Sequence, residues 1–233
     1  MDSTWKGGKG CERMGKVEEV SGNKAVFIAI EGIDGAGKST QVERLYQRFL
    51  AAGRPCVKTR EPGGTPIGDA IRELLLSPDR EMEPLTEMYL YAASRAEHVR
   101  RIIAPTLAQG VSVICDRFVD ASVAYQGYGL QERGMNPELV KKVNEPAVAD
   151  YLPDLTMIID VEVAVALQRI SERDRATQVR ADRIERRGSA FFARVRSGLC
   201  ALFEQDPKRY VWLDGTECAE ELTEQMWRAI LRL

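Results

Sequence analysis

The sequence predicts an α/β fold, a five-stranded parallel β-sheet flanked by helices, on three observations. Short apolar runs alternate with amphipathic stretches of helical length. Parallel strands need such crossover connections. The first run, Ala25 to Ile30, is almost continuously apolar, as a strand buried on both faces requires. The motifs richest in chemistry lie just after these runs, where open parallel sheets bind their ligands.

The elements follow in order. After the first strand comes a glycine-rich turn and a helix with Val42, Leu45, Phe49 and Leu50 on one face, stopped by Gly53. Pro55 to Thr59 reads as the second strand and Pro62-Gly63-Gly64 as a loop. Ile67 to Leu76 reads as a helix ended by Ser77-Pro78. Leu85 to Gln109 is expected as one long helix burying Leu85, Met88, Ala92, Ala96, Val99 and Ile103. Val111 to Cys115 is the third strand, Pro137 to Ala149 a helix, Leu155 to Val161 the fourth strand and Glu162 to Arg173 its helix. Ala190 to Phe203 repeats apolar residues at helical spacing. Tyr210 to Leu213 is the fifth strand, and Glu220 to Leu231 the closing helix. Residues 1–23 lack apolar periodicity and read as a disordered extension or a mis-assigned start, with Met14 an alternative. Residues 24–233 read as one domain.

Composition narrows the function. The 233 residues carry 33 Lys and Arg against 35 Asp and Glu, a net charge of −2, which argues against a globally basic nucleic-acid binder. A single histidine excludes a site built on several imidazoles. The five cysteines are scattered without a CxxC pair, as expected of reduced thiols in a cytoplasmic protein. No apolar run approaches the roughly 18 residues of a membrane span.

Gly32-Ile33-Asp34-Gly35-Ala36-Gly37-Lys38-Ser39, followed by Thr40, fits G-x-x-x-x-G-K-[ST] between a strand and a helix. The glycines let backbone N–H groups surround a polyphosphate, and the helix N-terminus adds its positive end. Lys38 reaches the β- and γ-phosphates and the Ser39 hydroxyl holds Mg²⁺. This predicts a P-loop NTPase fold that binds a nucleotide through its polyphosphate. Asp116 follows the third strand and suits the metal shell, with Arg117 beside it to clamp a phosphate; a turn-capping Asp is the plain alternative. Glu61 could bind a metal-bound water or merely precede Pro62 in a turn.

Arg169 to Arg196 holds nine arginines, no lysine and four acids. The stretch 172–187 has poor apolar periodicity and reads as a cationic lid over the triphosphate, against a solvated helix or a nucleic-acid groove. Tyr91 and Arg95 share a helical face away from the apolar one, suited to stacking on a base and bonding its oxygen edge, though a surface pair would look the same. Ser122, Tyr125 and Gln126 could read the remaining edge and the sugar.

Together these residues resemble the thymidylate kinase family of bacteria from about Phe27 onward. The matching pieces are Ile30 to Thr40, Thr59-Arg-Glu-Pro-Gly-Gly64, Asp116-Arg117-Phe118 with Ser122 to Gly127, and Ala181-Asp-Arg-Ile-Glu185 with Phe191-Phe192. The resemblance implies that Tyr91, usually Phe, stacks on thymine and Arg95 bonds its carbonyl oxygen. It implies that Arg60 and Arg117 hold the dTMP phosphate, Ser122 and Gln126 line the base pocket, Tyr125 excludes a 2′-hydroxyl, and Asp34 approaches the acceptor. Gly35 and Ala36 leave the P-loop without the catalytic arginine that some members carry there, so the lid supplies it from Arg173, Arg175, Arg180 or Arg183, with Arg183 aligning best. Leu130 stands where the family often has Arg. The implied reaction is γ-phosphoryl transfer from ATP to dTMP with Mg²⁺, in a cytoplasmic homodimer. A kinase for another nucleoside monophosphate is the nearest rival. A GTP-binding switch would need an Asn-Lys-x-Asp motif after the P-loop, which is absent; a nucleic-acid ATPase sits poorly with the acidic charge.

Overall fold

A computed structural model describes residues 24–178 and 181–233; the expected extension, 1–23, lies outside the described residues. Five parallel strands, β1 (Phe27–Glu31), β2 (Cys56–Arg60), β3 (Ser112–Asp116), β4 (Leu155–Asp160) and β5 (Tyr210–Asp214), form one sheet in the order β2-β3-β1-β4-β5. The helices are α1 (Lys38–Ala51), α2 (Pro66–Leu76), α3 (Pro84–His98), α4 (Ala104–Ala108), α5 (Val119–Ser122), α6 (Pro137–Val148), α7 (Val163–Thr177), α8 (Gly188–Gln205) and α9 (Ala219–Ile230).

The apolar run of β1 explains its central place. Ile28 and Ile30 enter one core with Leu45, Phe49, Met157 and Leu213, while Phe27 and Ala29 enter another with Val113, Cys115, Val99 and Ile103. Alternate side chains thus bury on opposite faces, which only an interior strand can satisfy. Leu130, where the resemblance led one to look for Arg, is buried in the first of these cores. The register then fixes the site: Ile30 lies opposite Asp116, and Asp116 opposite Arg60. The loops after β1, β2 and β3 therefore emerge side by side.

Three elements differ from the sequence reading. The long helix is α3 joined to α4 through a π turn at Val99–Ile103. Its buried face carries Glu87, Ser94, Arg95 and His98 beside Met88 and Ala92, whereas Leu85 is exposed. The segment after Asp116, not read as an element, is α5 continued by a π turn at Val123–Tyr128. Finally, α7 runs on to Thr177, so the first part of the expected lid is helix; a short 3-10 turn, Glu185–Arg187, lies at its end.

Candidate active site

The P-loop wraps the carboxyl end of β1. At Gly35, with φ +82°, an added Cβ would fall 2.3 Å from the carbonyl oxygen of Ala166 on α7, so the close approach needs glycine. Lys38 is buried and its Nζ donates to the loop's own Ile33 carbonyl at 2.8 Å. Burial, with help from the nearby Arg117 charge, lowers the Lys38 amine to about 8 against the pull of Asp34, Asp116 and Glu31. Ser39 Oγ donates to Asp116 Oδ2 at 2.7 Å, which places a hydroxyl and a carboxylate together at the mouth of the loop.

Arg117 has a left-handed backbone, φ 70°, uncommon for a residue with a side chain and found chiefly where surroundings over-determine it. Its N–H donates to Ile30 O. Its guanidinium donates to Gly32 O at 2.9 Å, Asp34 Oδ1 at 2.6 Å and the Tyr125 hydroxyl at 2.9 Å. The Tyr125 hydroxyl in turn donates to Asp34 Oδ2 at 2.8 Å. Burial alone would raise the Asp34 carboxyl, but Arg117 and Lys38 outweigh it and hold the group down at about 2. Burial pushes the Tyr91 and Tyr125 hydroxyls up, so both stay protonated.

Two cavities meet over this cluster. The larger, 720 Å³, is walled by the P-loop from Asp34 to Thr40, Asp116, Arg60, and Arg169 and Arg173 of α7. The smaller, 70 Å³, is walled by Tyr91, Tyr125, Gln126, Pro62, Leu76 and Ile184. Asp34, Glu61, Arg72, Arg117 and Asp182 line both. Arg72 was not singled out from the sequence. It stands on α2, and its Nη1 donates to Pro62 O at 3.0 Å; an arginine nearly two turns into the helix after a glycine loop was the available signal.

Several expected residues lie elsewhere than the sequence suggested. Arg95 does not line either cavity. It is buried one layer behind, donating to Glu61 Oε2 at 2.8 Å, Ser122 Oγ at 3.0 Å, Asn144 Oδ1 and Phe118 O at 3.0 Å. Its face of α3 is thus an inward one, and Ser122 is buried with it. Glu61 reaches the cleft wall, yet Arg95 occupies one oxygen and His98 Nδ1 lies 2.9 Å from the other. Glu61 thus anchors a buried network while lining the same cavity as Ser39 and Asp116.

In the lid, Arg183 faces away from the phosphate cleft: its Nε donates to Leu75 O at 2.8 Å and its Nη1 to Glu87 Oε2 at 2.7 Å. Arg175 is exposed and off the cleft wall, and Arg180 lies outside the described residues. Arg173 is the candidate that does line the larger cavity, paired with Asp174 and Glu185 at 2.7 and 2.8 Å. Arg173 sits on α7 at the wall of the cavity that the P-loop lines, whereas Arg183 is tied to Leu75 of α2 and Glu87 of α3.

A phosphate-binding loop beside a second, aromatic-walled cavity narrows the field to kinases of small anionic acceptors, and comparison with known proteins decides among them. The family model described as thymidylate kinase matches residues 30–226. The chain belongs to the thymidylate kinase family. It is 46% identical over 206 residues to a thymidylate kinase of Exiguobacterium sibiricum, covering 88% of this chain and 93% of that relative. It is 46% identical over 200 residues to one of Pelotomaculum thermopropionicum, covering 85% and 89%. One of Deinococcus radiodurans is 41% identical over 208 residues, covering 89% and 97%. In this family member the matched stretch contains both cavities and every residue of the Asp34–Arg117–Tyr125 cluster.

Proposed function

We propose that this chain transfers the γ-phosphoryl group of ATP to dTMP, giving ADP and dTDP. The observation that carries the proposal is the shared wall of the two cavities. A triphosphate in the P-loop and a monophosphate whose base enters the smaller cavity bring their anionic ends together at Arg72 and Arg117. Holding two reactants in line removes much of the entropic barrier, and fixed positive groups stabilise the transferring charge.

The roles follow from position. Lys38 and the P-loop N–H groups hold the donor phosphates, and Arg173 closes over them with Arg169 at its side. Arg60, Arg72 and Arg117 hold the acceptor phosphate, which is ionised at neutral pH and needs no strong base. Tyr91 and Tyr125 flank the base and sugar, and the Gln126 amide meets the base edge; its Oε1 is buried without a hydrogen-bond partner among the described residues. Arg95 and Ser122 support that wall from behind.

The Ser39 hydroxyl and Asp116 carboxylate are hard oxygen donors 2.7 Å apart at the phosphate mouth, a set that suits Mg²⁺. That ion would neutralise charge on the β- and γ-phosphates. Ile67 and Leu74 of α2 and Leu85 and Tyr89 of α3 are exposed on adjoining helices, and this apolar face supports a homodimer. Among the described residues no helix is long and apolar enough to cross a membrane, and Cys56, Cys115, Cys200 and Cys218 are free thiols, which supports a cytoplasmic site.

The test is a product assay with ATP and Mg²⁺ against dTMP, dUMP, dCMP, dGMP and CMP. Turnover with dTMP above the others is expected. A preference for dGMP, or no turnover with any of the five, overturns the assignment.

A further inference from the structure

Glu87 belongs to none of the roles above, yet it is completely buried on α3 beneath the smaller cavity. Its Oε1 accepts from Gln126 Nε2 at 2.9 Å. Its Oε2 accepts from Arg183 Nη1 at 2.7 Å and from Arg187 Nη2. Burial would raise the carboxyl, but Arg187 and Arg183 together with the Gln126 amide overcome that and hold it below its ordinary range. An ionised carboxylate only accepts hydrogen bonds. The Gln126 amide therefore has one permitted orientation: its NH₂ turns toward Glu87, and the carbonyl oxygen, buried and unpartnered among the described residues, is the end of this cavity-lining side chain left to accept a bond.

We propose that Glu87 is a positioning residue that sets base specificity by locking the Gln126 amide as a hydrogen-bond acceptor, while its second oxygen ties down the 183–187 segment beside the same cavity. This rests on the acceptor-site reading above. A pyrimidine with an N–H at the ring position facing Gln126, as in uracil and thymine, completes the bond. Cytosine offers a lone pair there and meets another lone pair. A site built to pair with a polar group rejects the analogue that leaves its own group unpaired. Arg183 carries the effect to the cover of the cavity: its side chain bridges Glu87 to Leu75 O, and the next residue, Ile184, is on the cavity wall. Arg187 lies over the Phe191 ring, 4.8 Å from its centre, and Phe191 packs edge-on to Tyr125 at 5.9 Å. One carboxylate thus joins the base edge, the cover and the Tyr125 wall.

The test compares kcat/KM for dUMP and dCMP, which differ only in the hydrogen-bonding edge, in the wild type and in E87Q. A glutamine at this position both donates and accepts, so the Gln126 amide is free to turn. The ratio of dUMP to dCMP is expected to fall at least tenfold in E87Q, with a rise in KM for dTMP. An unchanged ratio, with both substrates weakened by the same factor or by none, overturns the proposal and leaves Glu87 a purely structural anchor. If E87Q does not fold, E87Q/R187Q, which keeps the net charge of the cluster, takes its place with the same expected fall and the same overturning result. Failure of the wild type to phosphorylate dTMP would instead defeat the acceptor assignment, so the two failures are distinct.

Discussion

The Arg117 guanidinium lies 2.6 Å from the Asp34 carboxylate, tying the turn after β3 to the middle of the P-loop. Each holds the other in place at the boundary of the two cavities, and the Tyr125 hydroxyl closes the triangle. Asp34 is held ionised by its neighbours, down to about 2. Replacing it by Asn keeps the shape and removes the charge that fixes Arg117. D34N is expected to lower kcat/KM for dTMP by about a hundredfold, the loss typical of a misplaced charge-stabilising group. Steady-state kinetics check this; a change below threefold would detach the pair from catalysis.

Arg173 and Arg183 should separate kinetically. Arg173 lines the phosphate cavity, whereas Arg183 is anchored to Glu87 and Leu75 beside the base cavity. R173A is expected to lower kcat tenfold or more with little change in KM for dTMP. R183A is expected to raise that KM more than it lowers kcat. The opposite pattern would return the catalytic role to Arg183.

Glu31 gives a pH signature. Its Oε1 accepts from the N–H groups of Phe118 and Ala121 at 2.8 and 3.1 Å. Burial raises its carboxyl from 4.5 to about 8, against the pull of Arg117 and Lys38 and with a further push from Asp120. The folded state then binds this proton more tightly than the unfolded chain. Its stability contribution is full below 4.5 and is lost as pH rises to about 8. E31Q keeps the acceptor oxygen and does not titrate. The Tm of E31Q relative to wild type should therefore increase between pH 5 and pH 8. A constant difference across that range would refute the assignment.

The exposed apolar face of α2 and α3 predicts assembly. L74E/Y89E should shift the protein from dimer to monomer in light scattering at micromolar concentration. A monomeric wild type would remove the proposed interface.

The sheet and the P-loop were legible because their residues answer to local rules: β1 has too few polar groups to face water, and the glycines of the loop sit between a strand and a helix. The place of Asp116 at the carboxyl end of β3, with Arg117 next, was also legible. The inward face of α3 was not, because helical periodicity assigns charged residues to solvent. Glu87, Arg95 and His98 are buried through partners contributed by Glu61 after β2, by α5 and α6, and by the segments near Gln126 and Arg183, remote in sequence. The end of α7 was missed for the opposite reason. Both sides of the helix near Arg173 meet water, so it lacks an apolar stripe, while Gln168 and Glu172 pair across one turn. The segment Val119–Tyr128 gave only a spacing of polar residues, since its short first turn and Gly127 carry little helical preference.

The wall common to the two cavities also governs inhibitor chemistry. A single compound long enough to reach from Gly37 to Gln126 must pass a waist where Arg72 and Arg117 face inward. An uncharged linker there would strip water from guanidinium groups and give nothing back, so tight bisubstrate ligands for this enzyme need anionic character at their midpoint as well as at the P-loop end.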